Sequence, residues 1–221
     1  MGIISVAQQD ELFWLGRYTE RVYTTLRIYA RYSDSMIEQG DLYILFCQSM
    51  EIQNIYTSPE DFLKSYGYNE DNPDSLISNL LRAYDNAVIL REVIGSDSLS
   101  YIQMAVYAIR RAAVSKSPIL ELQKVCDNIL AFWGISDDHI SLPQARDLIK
   151  TGRRLERLDL YARMHYNRSE LQEAVRRLTS YRLVRSGLHF SEKRVTALED
   201  DMRKDPIDYQ DMVTQVENIF D

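Results

Sequence analysis

Apolar residues recur every three or four positions along most of this chain, and that spacing is typical of amphipathic α-helices. Leu76, Leu80 and Ala87 form one such stripe, and Val125 and Ile129 belong to another. Eight glycines and five prolines among 221 residues leave few turn signals, which favours long elements over many short strands. The pattern contains no convincing strand. It therefore predicts an all-α fold, a single multi-helix bundle.

Prolines, capping residues and glycines indicate where the helices begin and end. Four of the five prolines follow a Ser, Asn or Asp, and such a capping residue before proline is a good helix start. The predicted starts are 59, 73, 118 and 206 at these prolines, and Asp10, Asp41, Ser96, Ser141 and Arg168 elsewhere. The predicted stops are Gly40, Gly67, Gly95, Gly134 and Gly187. These boundaries give nine or ten helices in one domain, 1–221, with 205–221 as a peripheral C-terminal helix.

The charge distribution bears on which partners the chain can have. The net charge is −7 and the isoelectric point is near 5.1, which argues against general nucleic-acid binding. The segment 146–194 nevertheless holds thirteen basic and six acidic residues, so it is strongly cationic within an acidic chain. Twenty of the twenty-six basic residues are Arg, the better side chain for pairing with carboxylates or phosphates at two points. Nucleic-acid binding through 146–194 stays as a minor alternative.

Cysteine and histidine positions give no indication of a metal or cofactor. Cys47 and Cys126 lie in apolar helical patterns, and we interpret them as reduced core residues. A helical di-iron site needs Glu-x-x-His pairs, but His139, His165 and His189 have no Glu three residues before them. We therefore expect neither a metal nor a cofactor. The N-terminus lacks the features of a signal peptide and no apolar run is long enough to span a membrane, so we expect a cytoplasmic protein.

An internal repeat carries much of the unusual charge. Aligning residues 12–28 with 148–164, an offset of 136, gives six identities in seventeen positions, and four of the six are charged. Two unrelated amphipathic helices would more readily share apolar types, because surface charges change with little effect on stability. The matched pairs are Leu12 and Leu148, Gly16 and Gly152, Arg17 and Arg153, Glu20 and Glu156, Arg21 and Arg157, and Arg27 and Arg163.

Gly16 and Gly152 suggest how the two copies are arranged. A glycine within a helix costs about 1 kcal/mol relative to alanine, and close approach of a second backbone is the usual reason for it. We therefore expect the two helices to cross near these glycines, related by a pseudo-two-fold axis. The fold class predicted is a bundle with an internal pseudo-two-fold helix repeat.

At such a crossing Arg17 could reach Glu156 while Arg153 reaches Glu20. The guanidinium groups would outnumber the carboxylates, and a buried surplus of charge is costly unless an anion joins it. The anion could be an acidic side chain of this chain or an external carboxylate or phosphate, and the alternative that these charges simply face solvent stays open. The predicted network contains Arg17, Glu20, Arg21, Arg27, Arg91, Arg153, Glu156, Arg157 and Arg163.

Three segments resemble the bacterial alpha-E family, which is named for its helices and a characteristic Glu-Arg pair. They are 12–21 with Gly-Arg-x-x-Glu-Arg, 152–157 with a second copy, and 86–92 with Asn-Ala and Arg-Glu. The resemblance implies an all-helical protein encoded beside, or fused to, a circularly permuted ATP-grasp ligase, often with a transglutaminase-like protein. It thereby implies a role in ATP-driven amide or peptide-bond formation and its processing.

Two functional hypotheses remain besides nucleic-acid binding. The first is a non-catalytic scaffold or substrate-binding partner of the ligase, holding a peptide or amino acid, with the Arg/Glu network either stiffening the bundle or gripping a substrate carboxylate. The second is an enzyme of amide formation or modification that uses Glu20 or Glu156 as acid or base in an Arg-lined carboxylate pocket.

Overall fold

A computed structural model describes residues 4–179 and 182–220, with side chains for all of these except 31–34, 37–38 and 182. Over the described residues the chain forms twelve helices and no strand, so the predicted all-α class is confirmed. The helices are α1 (Val6–Glu38), α2 (Leu42–Ser49), α3 (Pro59–Ser65), α4 (Leu76–Ile89), α5 (Arg91–Ile94), α6 (Ser96–Ala112), α7 (Pro118–His139), α8 (Pro143–Arg163), α9 (Arg168–Thr179), α10 (Arg182–Ser186), α11 (Glu192–Asp201) and α12 (Tyr209–Glu217).

The proline-based starts are confirmed at two positions and wrong at two. Helices α3 and α7 begin at Pro59 and Pro118. At the other two prolines the helix begins three residues later, because Ser75 and Asp208 accept the free backbone N–H groups of α4 and α12. The count of nine or ten helices is too low, since α5 and α10 have only four and five residues and are too short to show a helical period.

Two further boundaries differ from the prediction. Helix α1 begins at Val6 and not at Asp10, because Ser5 and Gln8 form a reciprocal capping box ahead of it. Gly134 was expected to end a helix, but it lies inside α7, which continues to its last residue at 139. The backbone N–H groups beyond Gly134 still find helical partners there, so no stop is needed.

The core consists of two clusters that meet at α8. The first is formed by α1 to α7 with the beginning of α8, and both Cys47 and Cys126 are buried there as free thiols. The second is formed by the rest of α8 with α9 to α12, and Phe13 of α1 joins it. Helix α12 packs against α8 through the buried Met212 and Val216. The single domain and the peripheral character of 205–221 stay predictions.

Candidate functional site at the crossing of α1 and α8

The backbones of α1 and α8 approach each other at their glycines. A Cβ added to Gly16 would lie 2.1 Å from the carbonyl oxygen of Ile149, and one added to Gly152 would lie 2.0 Å from that of Phe13. The two contacts are reciprocal, because Phe13 and Ile149 are themselves separated by the repeat offset of 136. Only glycine fits at either position without a shift of the facing backbone. The pseudo-two-fold relation of the whole repeat stays a prediction.

Glu20 of α1 lies one turn beyond this contact and receives its partners from α8. Its side chain is 0% exposed. Arg157 donates to it from Nε at 2.6 Å and from Nη2 at 3.0 Å, a two-point grip on both carboxylate oxygens. Arg153 donates from Nε at 3.5 Å, and Thr24 donates from its hydroxyl at 2.8 Å. Every oxygen of this buried carboxylate is therefore hydrogen-bonded.

Glu156 of α8 is held in the same way by α1. Its side chain is also 0% exposed, and Arg17 donates from Nε to its Oε2 at 2.7 Å. The Nε of Arg21 donates to its Oε1. Burial opposes ionisation of Glu156, but the charges and hydrogen bonds of the two guanidinium groups outweigh it and lower the pKa of this carboxyl. Glu156 is therefore an ionised, anchored group.

Aromatic side chains cover the guanidinium groups of the crossing. The Cζ of Arg153 lies 3.4 Å from the centroid of the Trp133 ring, and that of Arg17 lies 4.8 Å from the Trp14 ring. Burial lowers the pKa of Arg153 to about 10, although Glu20 acts in the opposite direction. Arg153 is thus still charged at neutral pH, and the indole beside it replaces part of its lost hydration.

A second acidic group lies on the α8 side of the network. Asp159 accepts from the Nε of Arg163 at 3.0 Å, and Arg163 also lies 2.9 Å from Glu51 and 2.5 Å from Glu217. Burial, with a smaller contribution from the neighbouring Glu156, raises the pKa of Asp159. One arginine at the end of α8 therefore ties together α8, α12 and the segment that follows α2.

The chain also matches a known protein family. A family model called Alpha-E, described as a predicted alpha-helical domain with a conserved ER motif, matches residues 8–198. The chain belongs to the alpha-E family. It contains two Glu-Arg dipeptides, Glu20-Arg21 and Glu156-Arg157, and both lie at the crossing. No curated protein and no solved structure matches this chain.

Two members of the predicted network lie outside the cluster of this alpha-E domain. Arg27 is exposed, and its guanidinium contacts the ring and hydroxyl of Tyr23 on the same helix. Arg91 is exposed at the start of α5 and donates to the Ser96 hydroxyl at 3.1 Å. The prediction that both belong to the network is wrong. Arg27 is too far along α1 from the crossing, and Arg91 is on a separate short helix.

Several residues of the cluster were not identified from the sequence. Thr24 was detectable, because it lies one helical turn after Glu20 and on the same side of α1. Trp133, Glu51 and Glu217 gave no signal, since each comes from an element that only the tertiary fold brings here.

Each ER arginine of the alpha-E domain also lines a pocket. The Arg21 pocket has a volume of about 200 Å³ and is lined by Arg21, Glu51, Tyr66, Asp74, Asp159 and Arg163, with apolar walls beside them. The Arg157 pocket has a volume of about 260 Å³, and its lining includes Arg157, Tyr161, Glu170, Glu173 and Arg177. Each arginine thus anchors to a buried carboxylate and also lines an open cavity.

The arrangement suits binding better than proton transfer. A general acid or base needs access to substrate and a pKa near the working pH. Glu20 and Glu156 have no exposed surface, and all four of their oxygens accept hydrogen bonds. The guanidinium groups, by contrast, have N–H donors beyond those that these carboxylates use.

A metal site and a membrane span each place their own requirements on the described residues. No group of three or more His, Cys, Asp or Glu side chains there is placed to hold a metal ion. Among the described helices, none combines the length and apolar character that crossing a membrane requires.

Proposed function

We propose that this alpha-E domain is a helical accessory protein, a scaffold or substrate-binding partner, of an ATP-grasp amide or peptide ligase. In this proposal Arg21 and Arg157 present guanidinium groups to a carboxylate of the ligase substrate. The observation that carries it is that both ER arginines are fixed by buried carboxylates and still line open pockets. Such a fixed guanidinium loses little entropy when it binds an anion at two points.

The charge balance of the crossing supports anion binding. Four guanidinium groups, those of Arg17, Arg21, Arg153 and Arg157, surround two buried carboxylates. The surplus of positive charge repels itself in a partly dehydrated site and would be relieved by an incoming carboxylate. The same surplus explains why the arginines stay partly exposed while the glutamates are fully buried.

The proposed partner comes from what the family resemblance implies. Genes beside those of the alpha-E family are expected to encode an ATP-grasp ligase and a transglutaminase-like protein, and peptide or amino-acid substrates of such a ligase carry carboxylates. The proposal places this chemistry in the cytoplasm, where ATP is supplied. Burial of both carboxylates and the hydrogen bonds to all four of their oxygens argue against an acid/base role for Glu20 or Glu156.

Co-purification tests the partnership. The full chain is co-expressed with the neighbouring ATP-grasp ligase and transglutaminase-like protein, and ligase turnover is measured with and without it. We expect a stable complex with the ligase and faster turnover in its presence. A ligase that neither binds the chain nor changes its rate would overturn the proposal.

A matched pair of arginine variants tests the role of the ER arginines within that complex. Arg157→Lys keeps a cation but loses the two-point grip, whereas Arg176→Lys changes an exposed arginine whose ion pair among the described residues is with Glu173 on its own helix. We expect Arg157→Lys to raise the substrate KM of the complex and Arg176→Lys to leave it unchanged. Equal KM values for the two variants would contradict a binding role.

A further inference from the structure

The Arg21 pocket contains polar groups that the fold itself does not satisfy. Glu156 takes the Nε–H of Arg21, and neither terminal nitrogen of this arginine is paired with another described residue, while 36% of its side chain is exposed. The Tyr66 side chain is only 2% exposed, and its hydroxyl has no hydrogen-bond partner among the described residues. Polar groups that line one cavity and have no protein partner there are what a small-molecule site needs for fixing the orientation of a ligand.

The acidic side of the pocket is also incompletely paired. Asp159 uses Oδ1 for Arg163, and its Oδ2 has no partner among the described residues. Asp74 forms no ion pair with any residue that the structure describes. Arg163 already forms ion pairs with Asp159, Glu51 and Glu217.

The atoms that lack a protein partner therefore belong to charged groups of both signs. Arg21 offers N–H donors to an anion, and Asp74 together with Asp159 offers oxygens to a cation. The charged groups that line the cavity are two arginines and three carboxylates, so a ligand that is only an anion would pair with Arg21 but leave Asp74 without a counter-charge. A ligand that is only a cation would leave the terminal N–H groups of Arg21 without an acceptor. A small molecule that carries both charges satisfies both sides.

We infer that the Arg21 pocket binds a free α-amino acid, with its carboxylate on Arg21 and its ammonium group between Asp74 and Asp159. This inference rests on the proposed function, since it names the class of substrate that the ligase partner would receive. The volume of about 200 Å³ accommodates a molecule of that size, and Met50, Ile52 and Leu160 provide an apolar wall for its side chain. Burial raises the pKa of Asp159, and an ammonium group beside it would reverse that effect.

Thermal melting of the full chain with individual common L-amino acids in excess tests the inference. A ligand that binds only the folded state raises Tm, and the increase grows with the ratio of ligand concentration to Kd. We expect at least one amino acid to raise Tm. Its α-carboxamide and its N-acetyl derivative each lack one of the two charges. Each should bind with an affinity at least about tenfold lower than that of the free amino acid. An absence of any shift, or equal shifts with either derivative, would overturn the inference.

Two variants test whether the amino acid binds in the Arg21 pocket. Asp74→Asn removes the unpaired carboxylate without touching the Arg/Glu network, and we expect it to abolish the shift while the unliganded Tm stays as in the wild type. Asp71→Asn, an exposed change three residues away that lies outside the lining, should keep the shift. A full shift in Asp74→Asn would contradict the inference. Because no ligase is present in this assay, its failure and the failure of the co-purification are separate results.

Discussion

Arg157 holds Glu20 across the crossing with two hydrogen bonds, of 2.6 and 3.0 Å, although its own sequence neighbour is Glu156. Arg21 in turn donates to Glu156 and not to its neighbour Glu20. The two ER dipeptides therefore exchange partners between α1 and α8. The pair works as an interhelical clamp, and each arginine is positioned by the carboxylate of the other motif.

The glycines at the crossing are predicted to be irreplaceable. Gly16→Ala places a Cβ 2.1 Å from a backbone carbonyl of α8, and Gly152→Ala places one 2.0 Å from a carbonyl of α1. Because backbone atoms must move, each variant should lose at least about 2–3 kcal/mol of the free energy of unfolding, measured by urea denaturation.

Gly134→Ala is the matched control for the glycine variants. Gly134 also lies inside a helix, but a Cβ added there would meet no atom within 4 Å. Alanine should therefore stabilise the protein by about 0.5–1 kcal/mol. Equal effects of the three substitutions would show that α1 and α8 do not approach as described.

Glu156→Gln is predicted to be strongly destabilising. The change keeps the shape of a buried side chain but removes the charge that compensates Arg17 and Arg21. The expected loss is about 3 kcal/mol, the lower end of the range for breaking a buried ion pair. Glu173→Gln is the control, because Glu173 also accepts from two arginines but does so in solvent, and its stability should match that of the wild type. Similar unfolding midpoints for the two variants would contradict the buried network.

The pH dependence of stability should report on the same carboxylate. The pKa of Glu156 is lowered in the folded state, so the unfolded chain binds its proton more tightly. Its contribution is therefore complete above the ordinary glutamate pKa of about 4.3 and is lost as the pH falls through the lowered folded value. The stability difference between wild type and Glu156→Gln, measured by urea denaturation along a pH series, should shrink in this acidic window. A difference that does not change with pH would be inconsistent with an ionised Glu156.

Thr19 is predicted to stabilise the crossing by accepting a hydrogen bond from the indole of Trp133. The Nε1–H of Trp133 donates to the Thr19 hydroxyl at 3.2 Å, and both side chains are buried. Thr19→Val leaves this donor unpaired and should cost about 1–3 kcal/mol of the free energy of unfolding. Thr196→Val, at an exposed hydroxyl that donates only to its own helix, should have no measurable effect. An unchanged free energy of unfolding in Thr19→Val would show that the hydrogen bond from Trp133 does not stabilise the crossing.

The sequence pattern predicts the start of a helix correctly where interactions within one turn determine that start. Pro59 and Pro118 begin helices because proline at the first helical position acts within one turn, and at Pro59 the Ser58 side chain also caps the helix. The start of α1 was misplaced because two capping signals, Ser5 and Asp10, lie close together, and the Ser5–Gln8 capping box prevails.

The site was predictable only as far as the repeat extends. The matched positions led to Arg17 with Glu156 and to Arg153 with Glu20, and both contacts are present in the structure. Arg27 also matched within the repeat, but sequence identity does not reveal that it faces solvent. The aromatic cover and the unpaired groups of the Arg21 pocket depend on packing between distant elements. No helical period or capping rule encodes that packing.

A double-mutant cycle tests the exchange of partners most directly. Free energies of unfolding are measured for Glu20→Gln, Arg157→Gln and their combination, and in parallel for Glu20→Gln with Arg21→Gln, the adjacent pair of the same motif. We expect a coupling energy of about 2 kcal/mol between Glu20 and Arg157, larger than that between Glu20 and Arg21. A coupling between Glu20 and Arg157 below about 0.5 kcal/mol, or a stronger coupling within the dipeptide, would contradict the interhelical clamp.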